Sequence, residues 1–171
     1  MRLRRDVRAA TAVEFALIGS YFFLIIFAIV VIAIDMFWQL TLDDAVRNAT
    51  RQVQIGEIST KAKFVTAVCD EFSAVAPGCT TSLQYEVYSA PSFTGAGGIA
   101  AQMGQLQPTG NLSDNGAWPA SLTSSSSSIP LFLLVQVAYP LPFKIFAVPN
   151  GVATENGTSS LYSVVTTVME P

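Results

Sequence analysis

The sequence predicts an α+β fold in which one long N-terminal helix begins in a membrane and continues outside it. Three observations carry this. Phe15–Ile34 is an uncharged apolar run of twenty residues. The apolar period just after it is helical. Further along, the chain changes to a period of two between turn residues. The part beyond the long helix is expected to hold a short helix and a three- to four-stranded antiparallel sheet.

Twenty helical residues rise about 30 Å, the hydrocarbon thickness of a bilayer. The run carries Phe15, Tyr21, Phe22, Phe23 and Phe27, and no small-residue cleavage pattern closes it. A retained transmembrane helix is therefore read rather than a discarded signal sequence. Arg2, Arg4, Arg5 and Arg8 precede the span, opposed by Asp6, whereas Asp35, Asp43 and Asp44 follow it. The positive-inside rule then places the N-terminus in the cytoplasm and the C-terminal part outside.

The helix is expected to continue, because Met36–Ile55 contains no Pro or Gly. Leu40, Val46, Ala49 and Val53 recur on a helical stripe, and Asp43 and Arg47 form a favourable i,i+4 pair. Gly56 is the expected stop. A second helix fits Thr60–Ser73, with Phe64, Val65, Val68 and Phe72 on one face and Ser59 or Thr60 as its cap. Pro77-Gly78 then turns the chain between Cys69 and Cys79. In an oxidising compartment those cysteines can close a short disulfide loop, with two buried free thiols as the alternative.

In Ser82–Ser89, Leu83, Tyr85 and Val87 alternate with Gln84, Glu86 and Tyr88, the period of a half-buried strand. Residues 90–128 form a long Gly- and Ser-rich loop, in which Ile99–Leu106 fits one or two helical turns. Leu131–Tyr139 is the strongest strand and ends at Pro140 and Pro142. A short apolar piece, Phe143–Val148, and turns at Asn150-Gly151 and Asn156-Gly157 lead to a final strand, Leu161–Met169.

Composition narrows the function. The 171 residues include no histidine, which removes the commonest general base and metal ligand. Two cysteines ten apart do not make a zinc site, and no nucleophile elbow, phosphate loop or metalloprotease motif is present. No cofactor or metal is expected, and the chain reads as a non-enzyme. Beyond Ile34 ten acidic residues face five basic ones, so no basic patch invites nucleic acid. The triplets starting at Asn48, Asn111 and Asn156 match the glycosylation pattern, which recurs often by chance.

Glu14 stands apart. A carboxylate in a membrane costs about 2.5–3.5 kcal/mol at a helix centre and less near an edge, so a function is its default reading. The plainer reading is a helix N-terminal carboxylate favoured by the macrodipole.

Ala9-Ala10-Thr11-Ala12-Val13-Glu14-Phe15, followed by the apolar run, resembles the processing site of type IV pilin-like precursors. Thr11–Leu17 is closer still to the TadE-like proteins of the tight-adherence (Tad) pilus system. The similarity continues through Leu42–Val46 and Arg51–Gly56, and recurs at Phe64, Cys69, Cys79 and Val164–Pro171. The resemblance implies a cut by prepilin peptidase between Ala9 and Ala10, making Glu14 the fifth residue of the mature chain, next to Phe15. Such precursors usually have glycine where this chain has Ala9, and often a proline where it has Gly19-Ser20. In pilin-like subunits the carboxylate is thought to pair with a neighbour's new α-amino group.

The expected organisation is a basic leader over 1–9, a transmembrane and extended helix over 10–56, and an extracytoplasmic domain over 57–171. The resemblance implies a pseudopilin or minor pilin acting in biogenesis, priming or the tip of a Tad-type pilus used in adhesion and biofilm formation. Its partners would be other pilins, prepilin peptidase and the inner-membrane assembly platform. Its place would be the bacterial inner membrane, with the domain periplasmic, and on assembly an extracellular pilus. The alternative is an uncleaved single-span scaffold of the assembly machinery.

Overall fold

A computed structural model describes residues 7–74, 76–103, 111–113, 115–119, 131–141, 152–153 and 159–169. The chain divides into two compact units, Met1–Met36 and Phe37–Pro171. Helix α1 (Val7–Gln54) supplies the described part of the first unit and the first element of the second. The remaining elements are α2 (Lys61–Phe72), α3 (Cys79–Ser82), β1 (Gln84–Ala90), a 3-10 turn at Ile99–Ala101, β2 (Leu131–Pro140), β3 (Val152–Ala153) and β4 (Ser159–Met169). The strands form one antiparallel sheet in the order β1-β2-β4-β3, so the expected α+β fold is observed.

In the first unit the large apolar side chains of the helix are exposed. Phe15, Ile18, Tyr21, Leu24 and Phe27 are each 65–78% exposed. The aliphatic hydroxyl within the run, on Ser20, donates to the Leu17 carbonyl at 2.8 Å and is satisfied without water.

In the second unit α1 buries a stripe of Leu42, Ala45, Val46, Ala49 and Val53, each at most 1% exposed. Leu40, expected on that stripe, is 63% exposed, and Leu42 takes its place. At 3.6 residues per turn Leu40 falls about 160° from the centre of the buried arc. Asp43 accepts a hydrogen bond from the Gln39 amide at 3.3 Å, and its expected pairing with Arg47 is not among the ion pairs of the described residues. The helix ends as Gly56 requires. Gly56 sits at φ +77, its N–H donates to Val53 O, and the Glu57 N–H donates to Gln52 O. This is a Schellman closure, which needs a left-handed residue at that position.

Helix α2 packs Phe64, Val68, Cys69 and Phe72 inward, as its period predicted, with Val65 half-buried. Thr60 has the extended backbone of a cap, but its side chain makes no capping bond. Cys69 and Cys79 are joined in a disulfide, Cα to Cα 5.7 Å, across the Pro77-Gly78 turn. The Tyr139 hydroxyl donates to Pro77 O at 3.0 Å, and its ring meets Phe72 edge-on at 5.2 Å. The turn is thereby held to the sheet.

The register sets the two faces of the sheet. Val87, Leu133, Val135, Val137, Tyr139 and Leu161 face the helices and share one core with α1 and α2. Ala90, Phe132 and Leu134 face the other way and are covered by Ile99 and its turn. Here Gly98 is obligatory, because an added Cβ would lie 2.7 Å from the Thr94 carbonyl.

Glu86 corrects the expectation for β1. Placed by alternation on the polar side, it is fully buried, opposite the equally buried Gln136. The sheet is covered on both faces at this row. The Tyr162 hydroxyl, two strands away, has its pKa raised by burial and then by the charge of Glu86. Phe143–Val148 and the turns at Asn150-Gly151 and Asn156-Gly157 lie outside the described residues. The two-residue β3 between those turns pairs with Ser159 and Ser160.

Candidate functional site: the N-terminal helix

Ala9 and Ala10 lie in the first turn of α1, whose backbone is helical from Val7. Glu14 is about two turns in, and no acidic residue occupies the first turn. The macrodipole acts mainly within one turn of the end, so it does little for Glu14 in the full-length helix. The carboxylate is exposed between Val13 (60%) and Phe15 (78%), and no ion pair among the described residues engages it.

Ala10 and Glu14 stand at i and i+4, so they share one helix face. A charge freed at Ala10 would therefore lie one turn from the carboxylate on the same side of the helix. The rest of this half offers mainly apolar surface: Phe22 and Phe23 touch edge-on at 5.9 Å, and nothing lies within 4 Å of where a Gly19 Cβ would be. The helix is long and apolar enough to cross a membrane.

The TadE-like protein family model matches residues 9–51. This segment is similar to TadE-like proteins. It takes in Ala9, Ala10 and Glu14, the apolar run, and the docked stripe as far as Ala49. The match covers this segment alone, 43 of the 171 residues, and agrees with the resemblance read there from the residues. The disulfide and the sheet fall outside it. No curated protein and no solved structure matches the chain.

Beyond the TadE-like segment, the disulfide that joins Cys69 to Cys79 settles the choice between a bridge and two thiols. Two contacts were not foreseen. The Gln39 amide donates to Tyr162 O at 2.9 Å, and the Gln54 amide donates to Val168 O at 2.8 Å. Thr167 Oγ1 adds a bond to Gln54 Oε1 at 3.3 Å. Polar residues on a helix normally read as its solvated side, so no periodic signal marked these two as contacts. Asn48 and Asn111 are engaged within the domain: Asn48 donates to the Glu71 carboxylate, and Asn111 accepts from Gln84.

Proposed function

We propose that the chain is a pseudopilin or minor pilin of a Tad-type pilus, cut by prepilin peptidase between Ala9 and Ala10. The leader 1–9 stays in the cytoplasm, the helix over 10–56 spans and leaves the membrane, and the domain over 57–171 is periplasmic. The observation that carries this reading is Glu14, a carboxylate on a bare apolar helix inside the TadE-like segment.

Cleavage gives Ala10 an α-ammonium. That charge and the Glu14 carboxylate of a neighbouring subunit attract strongly at low dielectric, and each offsets the other's desolvation. The pair fixes the axial register of adjacent helices. The cut also removes four arginines and Asp6, and with them the cytoplasmic anchor. A subunit so released can leave the bilayer for a helical assembly. A domain of over a hundred residues suits a low-copy position at the base or tip better than the filament body.

The test is the N-terminal mass of the protein from cells with and without the peptidase. A new N-terminus at Ala10, present only with the peptidase, is expected. Met1 in both strains would instead favour the uncleaved scaffold. With cleavage shown, Glu14→Gln is expected to leave processing and insertion intact and to reduce assembly at least tenfold, counted as sheared pili. Normal piliation would remove the charge-pairing role.

A further inference from the structure

Past the apolar run, α1 carries two large apolar side chains on the side turned away from its buried stripe. Phe37 is 58% exposed and Leu40 63%, one turn apart on the helix. At 3.6 residues per turn they lie about 140° and 160° from the centre of the stripe. The same side next carries Asp44, Arg47 and Arg51, all exposed. This face therefore changes from apolar to charged within one turn, between Leu40 and Asp44.

The polar side chains at this level are engaged with the protein. The Gln39 amide donates to Asp43 at 3.3 Å and to Tyr162 O at 2.9 Å. The Thr41 hydroxyl donates to Phe37 O at 2.8 Å, the same back-bond that Ser20 makes within the apolar run. Trp38 is half-buried and packs against the core. Asp35 is the one charged residue between Ile34 and Asp43. It is half-buried, and by period it belongs with the stripe, since Leu42 is its i+7 residue.

Position along the helix decides what covers Phe37 and Leu40. With Phe15–Ile34 filling the hydrocarbon, they stand about 4.5 Å and 9 Å beyond its outer end, and Asp44 about 15 Å beyond. The headgroup layer is about 5–8 Å deep on each side of a bilayer. Helix side chains also lean toward the N-terminus, here back toward the membrane. Both apolar groups thus fall at headgroup depth, and the first charge of their face falls in water. A single exposed apolar side chain needs no explanation. Two on one face, following the apolar run and closed off by charge, need a cover.

We propose that Phe37 and Leu40 are sunk in the outer headgroup layer of the bilayer. Lipid covers them as it covers the apolar face of a helix lying in the interface. The border between lipid and water then stands at different heights on two sides of α1: at Asp35 on the stripe side, and between Leu40 and Asp44 on the other. This inference rests on the reading of Phe15–Ile34 as a membrane span. It does not depend on cleavage at Ala9 or on the role of Glu14.

The test uses the full chain in nanodiscs of phosphatidylethanolamine and phosphatidylglycerol, with a nitroxide on one added cysteine. The four variants are Leu24→Cys, Phe37→Cys, Leu40→Cys and Arg51→Cys, all at exposed positions. Mass confirms that the Cys69–Cys79 disulfide is kept, and circular dichroism checks each fold. Collision of the label with oxygen, which partitions into lipid, is compared with collision with a water-soluble nickel chelate. Relative to Arg51→Cys, the labels at Phe37 and Leu40 are expected to meet the nickel chelate at least threefold less and oxygen no less. Nickel collision at Phe37 and Leu40 equal to that at Arg51, with Leu24 shielded, would overturn this inference and leave the span standing. Nickel reaching Leu24 as well would remove the span and this inference together. Shielding at Phe37 and Leu40 that disappears on dilution with unlabelled chain would make a second copy the cover, and shielding from oxygen as well as nickel would make protein the cover. Either result would overturn the proposal.

Discussion

One helix, α1, meets two surroundings. From Phe15 to Ile34 its side chains are mostly exposed, whereas from Leu42 to Val53 a five-residue stripe is sealed against α2 and the sheet. Helix propensity cannot explain the contrast, since both halves are long helical stretches. The difference is where the partner lies. The outer half finds its partner in its own chain, so its side chains act on stability. The N-terminal half has no such partner among the described residues, so on the proposed reading its side chains act on insertion and assembly.

Paired truncations on the two halves give the largest expected effect. Leu42→Ala should destabilise the full chain in detergent by about 2–5 kcal/mol, whereas Leu24→Ala should stay within about 0.5 kcal/mol by the same denaturant titration. Equal losses would erase the distinction. Next comes the staple of the outer unit. Replacing Cys69 and Cys79 together by Ser should lower stability by about 2–3 kcal/mol and leave membrane insertion unchanged, read by fractionation. A failure to insert would mean that the two halves are not separable.

A smaller loss, about 1–2 kcal/mol, is expected for Gly56→Ala, because the site needs a left-handed backbone and has free space around it. Denaturation midpoints compared with those of Gly19→Ala, in the exposed half and in open space, sharpen the contrast. The smallest effect is at alkaline pH. The Tyr162 pKa is raised above its ordinary 10.0, first by burial and then by Glu86. A raised pKa means that the folded state holds the proton longer. Its stabilisation is complete below about pH 10 and is lost as pH rises through the folded value. Glu86→Gln should lower the Tyr162 titration midpoint, followed by tyrosinate absorbance against a Tyr162→Phe reference, and leave part of the shift. An unmoved midpoint would show that burial alone sets it.

The sequence showed those features that follow from one element's own period. The apolar span, the inward face of α2, the two long strands and the stop at Gly56 all follow from a local repeat or a local turn. What escaped depends on chain brought from elsewhere. The phase of the α1 stripe was misjudged at Leu40 because Ala45 contributes little apolar weight, although the helix sits on it closely. The burial of Glu86 was hidden because alternation assumes one wet face, and here the second face is covered too. The four-residue α3 is too short to leave a period. As for the candidate site, Glu14 was visible as a charge beside an apolar run, whereas the group proposed to meet it belongs to another chain and leaves no mark in this one.

The contacts of Gln39 and Gln54 act together as a vernier. Fifteen residues of α1 separate them, a rise of about 22 Å, while six residues of β4 separate Tyr162 from Val168, about 20 Å of strand. The two lengths nearly match, so both glutamines reach their carbonyls in a single register. A slide of β4 by one residue would lose both bonds at once and turn its apolar row away from the core. Helix and strand run in the same direction, so a pull along α1 loads both clasps and the packed stripe in shear, all together rather than in sequence. The outer end of the helix is thus gripped along its length, in the manner of a lap joint.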